Sequence, residues 1–188
     1  STGPAMQGVT IRINSPDSDT GEGEIIVKSP NVMKGYYKNE EATSAVFTDD
    51  GWFRTGDLGY IDKKNNLHIR GRIKNVILGR NGENIYPEEI ESLINSIEGI
   101  EESLVISKQG KLVAMVNINV KELENRLIQL NEKAIKVTHD TLDELMEEIQ
   151  NFVNAKVNKF SRLQLVVVQD SPFERTPTNK IKRYLYNA

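Results

Sequence analysis

Three short stretches carry residues whose types and spacing could do chemistry. In "GWFRTGDLGYI", Arg54, Thr55, Gly56 and Asp57 stand in a row between apolar residues. An ionised carboxylate only accepts hydrogen bonds, and its two oxygens match a vicinal diol, as acidic residues do against the ribose of a nucleotide. Gly56 and Gly59 would let the backbone bend and a ligand approach. Gly-Asp is also ordinary turn chemistry, so on these residues alone a strand-end turn with Asp57 solvated is the simpler reading. In "GRIKNVILGRNGEN", Arg72 offers a planar fork of donors for phosphate or ribose oxygens, and Lys74 sits where the composition changes. Read alone, both are an exposed basic face, and "GRNG" is a turn, not a phosphate loop, because no Lys-Ser/Thr follows it. In "ERTPTNKIKR", Lys180 is an ammonium on a C-terminal loop, able to offset charge on a phosphoryl transition state or simply part of a basic tail.

The remaining composition excludes more than it offers. There are no cysteines, so disulfides, thiol nucleophiles and thiolate metal sites are out, which suits a reducing compartment. The two histidines, His68 and His139, are far apart in sequence, and no metal site is expected. A net charge of −3 over 188 residues provides no general field for nucleic acid. No apolar run approaches the roughly 18 residues of a bilayer span. The opening "STGPAMQG" reads as the middle of a larger protein.

The elements that must position these groups fall into two sets. "VTIRI" and "EIIVKS" alternate as half-buried strands around a turn-rich "NSPDSDTGEG". "NEEATSAVF" suits a short helix capped by Asn39. "GWFRTGDLGYID" and "NLHIRGR" read as two further strands joined by "DKKNN", with His68 on the face opposite Leu67 and Ile69, toward solvent. Past Gly71 the character changes. "KNVIL" is a short strand, and "IYPEEIESLINSI" is a helix starting at Pro87. Glu88, Glu89 and Glu91 occupy its first turns, and Ile90, Leu93, Ile94 and Ile97 share one face. "ESLVIS" and "KLVAMVNIN" form a strand pair around "KQGK". Leu123, Leu127, Leu130 and Ala134 repeat at helical spacing. His139 and Asp140 are expected in a loop before a last helix, with Thr141 and Glu144 as a capping box and Leu142, Leu145, Ile149 and Phe152 on its apolar face. "LQLVVVQ" is a buried strand. The expected fold is therefore α+β: an antiparallel β-rich piece over residues 1–73, then a small α+β domain over 74–188 with a short sheet flanked by helices.

Four motifs occur in order: "GEGEIIVKSPNVMKGYYKNEEAT", "GWFRTGDLGYID", "GRIKNVILGRNGENIYPEEIE" and "RTPTNKIKR". Together they span about half the chain and resemble the adenylate-forming superfamily of acyl-CoA synthetases, peptide-synthetase adenylation domains and luciferases. "GENIYPEEIE" and "TPTNKIKRYLY" are most similar to bacterial long-chain fatty acid–CoA ligases. The resemblance implies that Asp57 holds the ribose hydroxyls of ATP and that Arg72 also reaches the nucleotide. It makes Lys74 the hinge of a rotating C-terminal domain and Lys180 the lysine of the adenylation step. Gly79, Gly82 and Glu83 then lie on a hairpin that serves the CoA-dependent step. It further implies ATP, Mg²⁺ and CoA as cofactors of the full enzyme, none held tightly by this piece. The implied partners are an N-terminal part of the same protein and a fatty acid. The implied location is the cytoplasm, with peripheral contact at the inner membrane. The alternatives are a ligase for another acid (aryl, short-chain or amino acid) and a non-catalytic module docking a partner or membrane through the helical stretch between Asn119 and Leu163. Departures from the family pattern are Asn179 where Gly usually precedes the lysine, Glu40 where Pro is common, and one extra residue between Leu78 and Gly82.

Overall fold

The computed structural model describes residues 1–119, 121 and 139–186, arranged as two compact units, Ser1–Val76 and Ile77–Ala188. The expected helix bearing Leu123, Leu127, Leu130 and Ala134 lies outside the described residues.

The first unit is a four-stranded antiparallel sheet in the order β1 (Thr10–Asn14), β2 (Gly23–Lys28), β3 (Phe53–Ile61), β4 (Leu67–Arg72). Ile25 and Ile26 of the central β2 are buried, and so is Glu24, which Arg54 clamps through Nε at 3.0 Å and Nη2 at 2.8 Å. The turn between β3 and β4 is built on Asp62, whose carboxylate accepts from the backbone of Lys64 (2.8 Å) and Asn66 (2.9 Å). Helix α1 (Glu40–Ala45) starts where expected: Asn39 accepts from the Ala42 N–H at 2.9 Å, and Glu40 and Glu41 meet the positive helix end. Glu40 thus supplies at this helix start a charge that Pro could not.

Two expectations for this unit are corrected. Asp57 is not at a strand-end turn; it lies inside β3. His68 is half-buried, its ring stacked on Tyr60 with centroids 4.6 Å apart and its Nε2 3.0 Å from Asp62 Oδ2, whereas Ile69 is 50% exposed. His68 still alternates with Ile69 along β4, but its own face carries the Tyr60 ring and the Asp62 carboxylate rather than open solvent.

In the second unit, β7 (Ile100–Lys108) and β8 (Lys111–Ile118) pair antiparallel, and β9 (Leu165–Val168) joins β8 in parallel. The tight β7–β8 turn places Gln109 and Gly110 at positive φ, 51° and 71°, the backbone that suits a two-residue hairpin. Alternation along the strands creates two apolar faces. One, with Val105, Ala114 and Val116, is covered by α2 (Pro87–Ile94) and α3 (His139–Asn154) through Ile90, Ile94, Leu145, Ile149 and Val153. The other, with Leu104, Ile106 and Val113, is covered by Phe173, Ile181 and Tyr186 of the C-terminal segment. The described helices thus lie on one face of this sheet, and the segment that bears Lys180 lies on the other.

His139 and Asp140, expected in a loop, already belong to α3, so Thr141 is not its first residue. Glu91 does not serve the helix start as expected. It is buried, and its carboxylate accepts from the Val105 N–H at 2.7 Å and pairs with Arg183. Position 91 adjoins Ile90 and precedes Ile94 by less than one turn, so it points with them toward the sheet.

Candidate functional site

Asp57 owes its setting to an interruption in pairing. β2 and β3 are in register at Ile26↔Arg54 and again at Glu24↔Leu58, so Thr55, Gly56 and Asp57 bulge opposite a single residue, Ile25. The bulge is pinned from both sides. The Thr55 hydroxyl donates to the Ile25 carbonyl at 2.8 Å and accepts from the Asp57 N–H at 3.0 Å. Gly56 takes a φ of +71°, a conformation costly for a residue with a side chain. Across the other edge Asp57 remains paired with Arg72 of β4. Arg72 Nε lies 2.9 Å from Asp57 Oδ1, and its Nη1 donates to the Thr55 carbonyl at 3.1 Å. The side chains of Asp57 and Arg72 are 30% and 41% exposed. The arrangement is a fixed carboxylate, open to solvent, with a guanidinium beside it: acceptor and cation on one sheet surface. Lys74 follows in an exposed 3-10 turn, Ile73–Asn75, just before the first unit ends at Val76.

The second unit carries the other two groups. β5 (Ile77–Leu78) and β6 (Asn84–Ile85) form a short hairpin. Its tip is closed by the Gly79 N–H to the Glu83 carbonyl at 2.8 Å and the Gly82 N–H to the Gly79 carbonyl at 3.0 Å. Glu83 folds back over Gly79, where any Cβ would lie 2.1 Å from its Oε1, and it accepts from the Asn81 N–H at 3.1 Å. Beside this hairpin is a cavity of about 370 Å³ whose wall includes Arg80, Lys111, Lys159 and Phe160. Lys159 Nζ stands 4.7 Å from the Phe160 ring centre. Arg80, Lys111 and Lys159 thus line this cavity together with the Glu83 carboxylate. Sequence reasoning missed this cavity because its residues come from four separate stretches, joined only by the fold.

Lys180 ends a tight turn. The Thr176 N–H donates to the Lys180 carbonyl at 2.8 Å, and the Lys180 N–H donates to the Thr176 hydroxyl oxygen at 3.1 Å. Asn179 takes φ +60°, as glycine would, so the substitution preserves the turn. The Lys180 side chain is exposed. Asp57, Arg72 and Lys74 thus belong to one unit, and Lys180, Gly79, Gly82 and Glu83 to the other. Among the described residues no three acidic or histidine side chains cluster as metal ligands.

Known proteins share this sequence and fold. A long-chain-fatty-acid–CoA ligase of Mycobacterium tuberculosis, FadD13, is 40% identical over 123 residues, 62% of this chain and 24% of that protein. The long-chain-fatty-acid–CoA ligase heimdall of Drosophila melanogaster is 38% identical over 149 residues, 79% of this chain and 20% of its own length. A 2-succinylbenzoate–CoA ligase of Listeria monocytogenes is 34% identical over 165 residues, 86% of this chain and 30% of that enzyme. Among solved structures, ATP-bound MatB of Rhodopseudomonas palustris superimposes with a TM-score of 0.70 at 30% identity, over 98% of this chain and 34% of MatB. The chain belongs to the adenylate-forming superfamily. MenE of Bacillus subtilis with an acyl-adenylate, another member, gives a TM-score of 0.73 at 28% identity, over 97% of this chain and 34% of MenE. No family model matches. The chain spans about a quarter of the length of the curated members it matches (24%, 20% and 30%).

Proposed function

We propose that the chain is the C-terminal part of an ATP-dependent acid–thiol ligase that forms an acyl-adenylate and passes the acyl group to CoA. What chiefly supports this is Asp57: a carboxylate set on a strand bulge beside Arg72, in a chain related to enzymes that form acyl-adenylates. In the first step a carboxylate oxygen attacks the α-phosphorus of ATP, and pyrophosphate leaves. Asp57 accepts hydrogen bonds from the ribose hydroxyls, and Arg72 holds Asp57 in place. Lys180 offsets charge growing on the phosphoryl oxygens. Mg²⁺ would arrive on the phosphates of ATP, where it supplies further charge compensation. In the second step the thiol sulfur attacks the acyl carbonyl, and AMP leaves. Between the steps the second unit turns about Lys74, withdrawing Lys180 and admitting the hairpin with Gly79, Gly82 and Glu83. Arg80, Lys111 and Lys159 beside that hairpin would offset the phosphate charge of the incoming CoA thiol.

The acid is proposed to be a long-chain fatty acid, in line with FadD13 and heimdall. An aryl acid is the second reading, favoured by the likeness to 2-succinylbenzoate–CoA ligases over 86% of the chain. A substrate panel on the full-length enzyme separates them. The proposed location is cytoplasmic, with peripheral contact at the inner membrane. The test of the mechanism is Lys180→Ala in the full-length enzyme. Adenylate formation, read by ATP–pyrophosphate exchange, should fall about 100-fold, while CoA transfer from preformed acyl-adenylate changes little. Equal loss in both steps rejects the role.

A further inference from the structure

Two ion pairs hold the limbs of the Lys180 turn. Before it, Arg175 Nη1 donates to the Asn179 carbonyl at 2.8 Å, and Nη2 pairs with Glu102 of β7. Glu102 Oε1 also accepts from the Phe173 N–H at 3.3 Å. After it, Arg183 pairs with Glu91 of α2, whose other oxygen accepts from the Val105 N–H at 2.7 Å. Burial pushes the Glu91 carboxyl above its usual range, and Arg183 opposes that shift. Apolar contacts already seat this segment: Phe173 is buried and meets Tyr186 edge-on at 5.2 Å. A buried ion pair seldom adds net stability over an apolar pair, but it fixes register and direction, which apolar contacts do poorly. Arg175 precedes Lys180 by five residues and Arg183 follows it by three, so both limbs of the turn are set.

We propose that Arg175 and Arg183, anchored on Glu102 and Glu91, are positioning residues that aim Lys180 at the reacting phosphate. The proposal rests on the reading of Lys180 given above. A merely structural pair would lower stability and both half-reactions together. A positioning pair lowers adenylation selectively.

The experiment uses the full-length enzyme with Arg175→Gln, Arg183→Met, the double variant Glu91→Gln/Arg183→Met and, in parallel, Lys180→Ala. Pyrophosphate exchange, CoA transfer from synthetic acyl-adenylate and thermal midpoints are measured for each. Arg183→Met alone strands a buried carboxylate and should melt early; Glu91→Gln removes that charge and restores the midpoint. The expected result is that the double variant and Arg175→Gln each lower exchange about tenfold, with transfer within about twofold of the parent. If the double variant recovers exchange along with its midpoint, or if both half-reactions fall together, the proposal is overturned. Should the double variant not fold, Arg175→Gln decides together with Arg175→Gln/Glu102→Gln, because Arg175 is 38% exposed but Glu102 only 14%, and the second substitution removes the carboxylate left without its cation. If Lys180→Ala is selective and the arginine variants are not, positioning alone fails. If Lys180→Ala is not selective, the underlying reading of Lys180 fails.

Discussion

Asp57→Ala separates a ribose-binding carboxylate from a structural one. Its ion pair with Arg72, at 2.9 Å, is partly exposed on both sides, so its loss should cost about 0.2–1 kcal/mol of stability. The bulge itself is held by Thr55, through the Ile25 carbonyl at 2.8 Å, and survives without the carboxylate. Binding should suffer far more. A hydrogen bond to a charged group is worth about 1.5–3 kcal/mol, or about 10- to 100-fold per ribose hydroxyl. In the full-length enzyme, kcat/KM for ATP in pyrophosphate exchange should therefore fall by at least about 100-fold when both hydroxyls lose their acceptor. The decisive control replaces ATP with 2′-deoxy- and 3′-deoxy-ATP. The parent should lose about 10- to 100-fold on each analogue, and Asp57→Ala should scarcely distinguish them from ATP. If the variant still discriminates as the parent does, Asp57 does not touch the ribose. If instead its thermal midpoint collapses, the carboxylate is structural and the reasoning fails.

Three further outcomes test other parts of the structure. Gly59→Ala should destabilise the first unit by about 1–3 kcal/mol in urea unfolding, because a Cβ there would sit 2.2 Å from the His68 carbonyl oxygen, which is backbone and cannot swing aside. At Gly79 the atoms nearest an added Cβ all belong to the movable Glu83 side chain, so Gly79→Ala should hold stability within about 1 kcal/mol while CoA transfer slows more than adenylation. The Asp62 carboxyl is held well below its ordinary 3.8, chiefly by the Asn66 N–H and then by His68. A depressed carboxyl stabilises the fold above its unfolded pKa and loses that contribution as pH falls below it. The unfolding midpoints of the parent and Asp62→Asn should therefore differ near pH 7 and draw together as pH falls below about 3.8; a gap that stays constant would contradict the assignment.

Legibility in the sequence followed the range of the forces involved. The strand pairs, the Asn39 cap, the Pro87 helix start and the two-residue turn at Gln109–Gly110 were readable because each rests on neighbours within a few positions. Leu145, Ile149 and Ile94 were readable as core because helical spacing alone puts them on one face. Glu91 was not. Its charge suits a helix start, and only the distant Val105 and Arg183 make it a buried acceptor. His68 failed likewise: its alternation with Ile69 holds, but only the cross-strand Tyr60 ring and the Asp62 carboxylate cover the face on which it lies.

Local rules break at both places assigned chemistry, although Ser15, Lys38, Asn65 and Gln109 also take positive φ in ordinary turns. Gly56 and Asp57 are poor residues for mid-strand, and Asn179 adopts a φ that most residues avoid. Neither is a region left loose. Thr55 and Arg72 hold the first at three points, and Arg175 holds the second through the Asn179 carbonyl. Strain that is opposed by specific hydrogen bonds persists only if those bonds are made, so each site depends on the neighbours that hold it, Thr55 and Arg175 among them. For that reason Thr55→Val, which keeps the shape and strand propensity but deletes both hydroxyl bonds, should relax the bulge and weaken ATP use by an amount approaching that of Asp57→Ala, despite leaving the carboxylate in the chain. A Thr55→Val enzyme with unchanged kcat/KM for ATP would mean that the bulge holds its form without this hydroxyl and that the pinning argument is wrong.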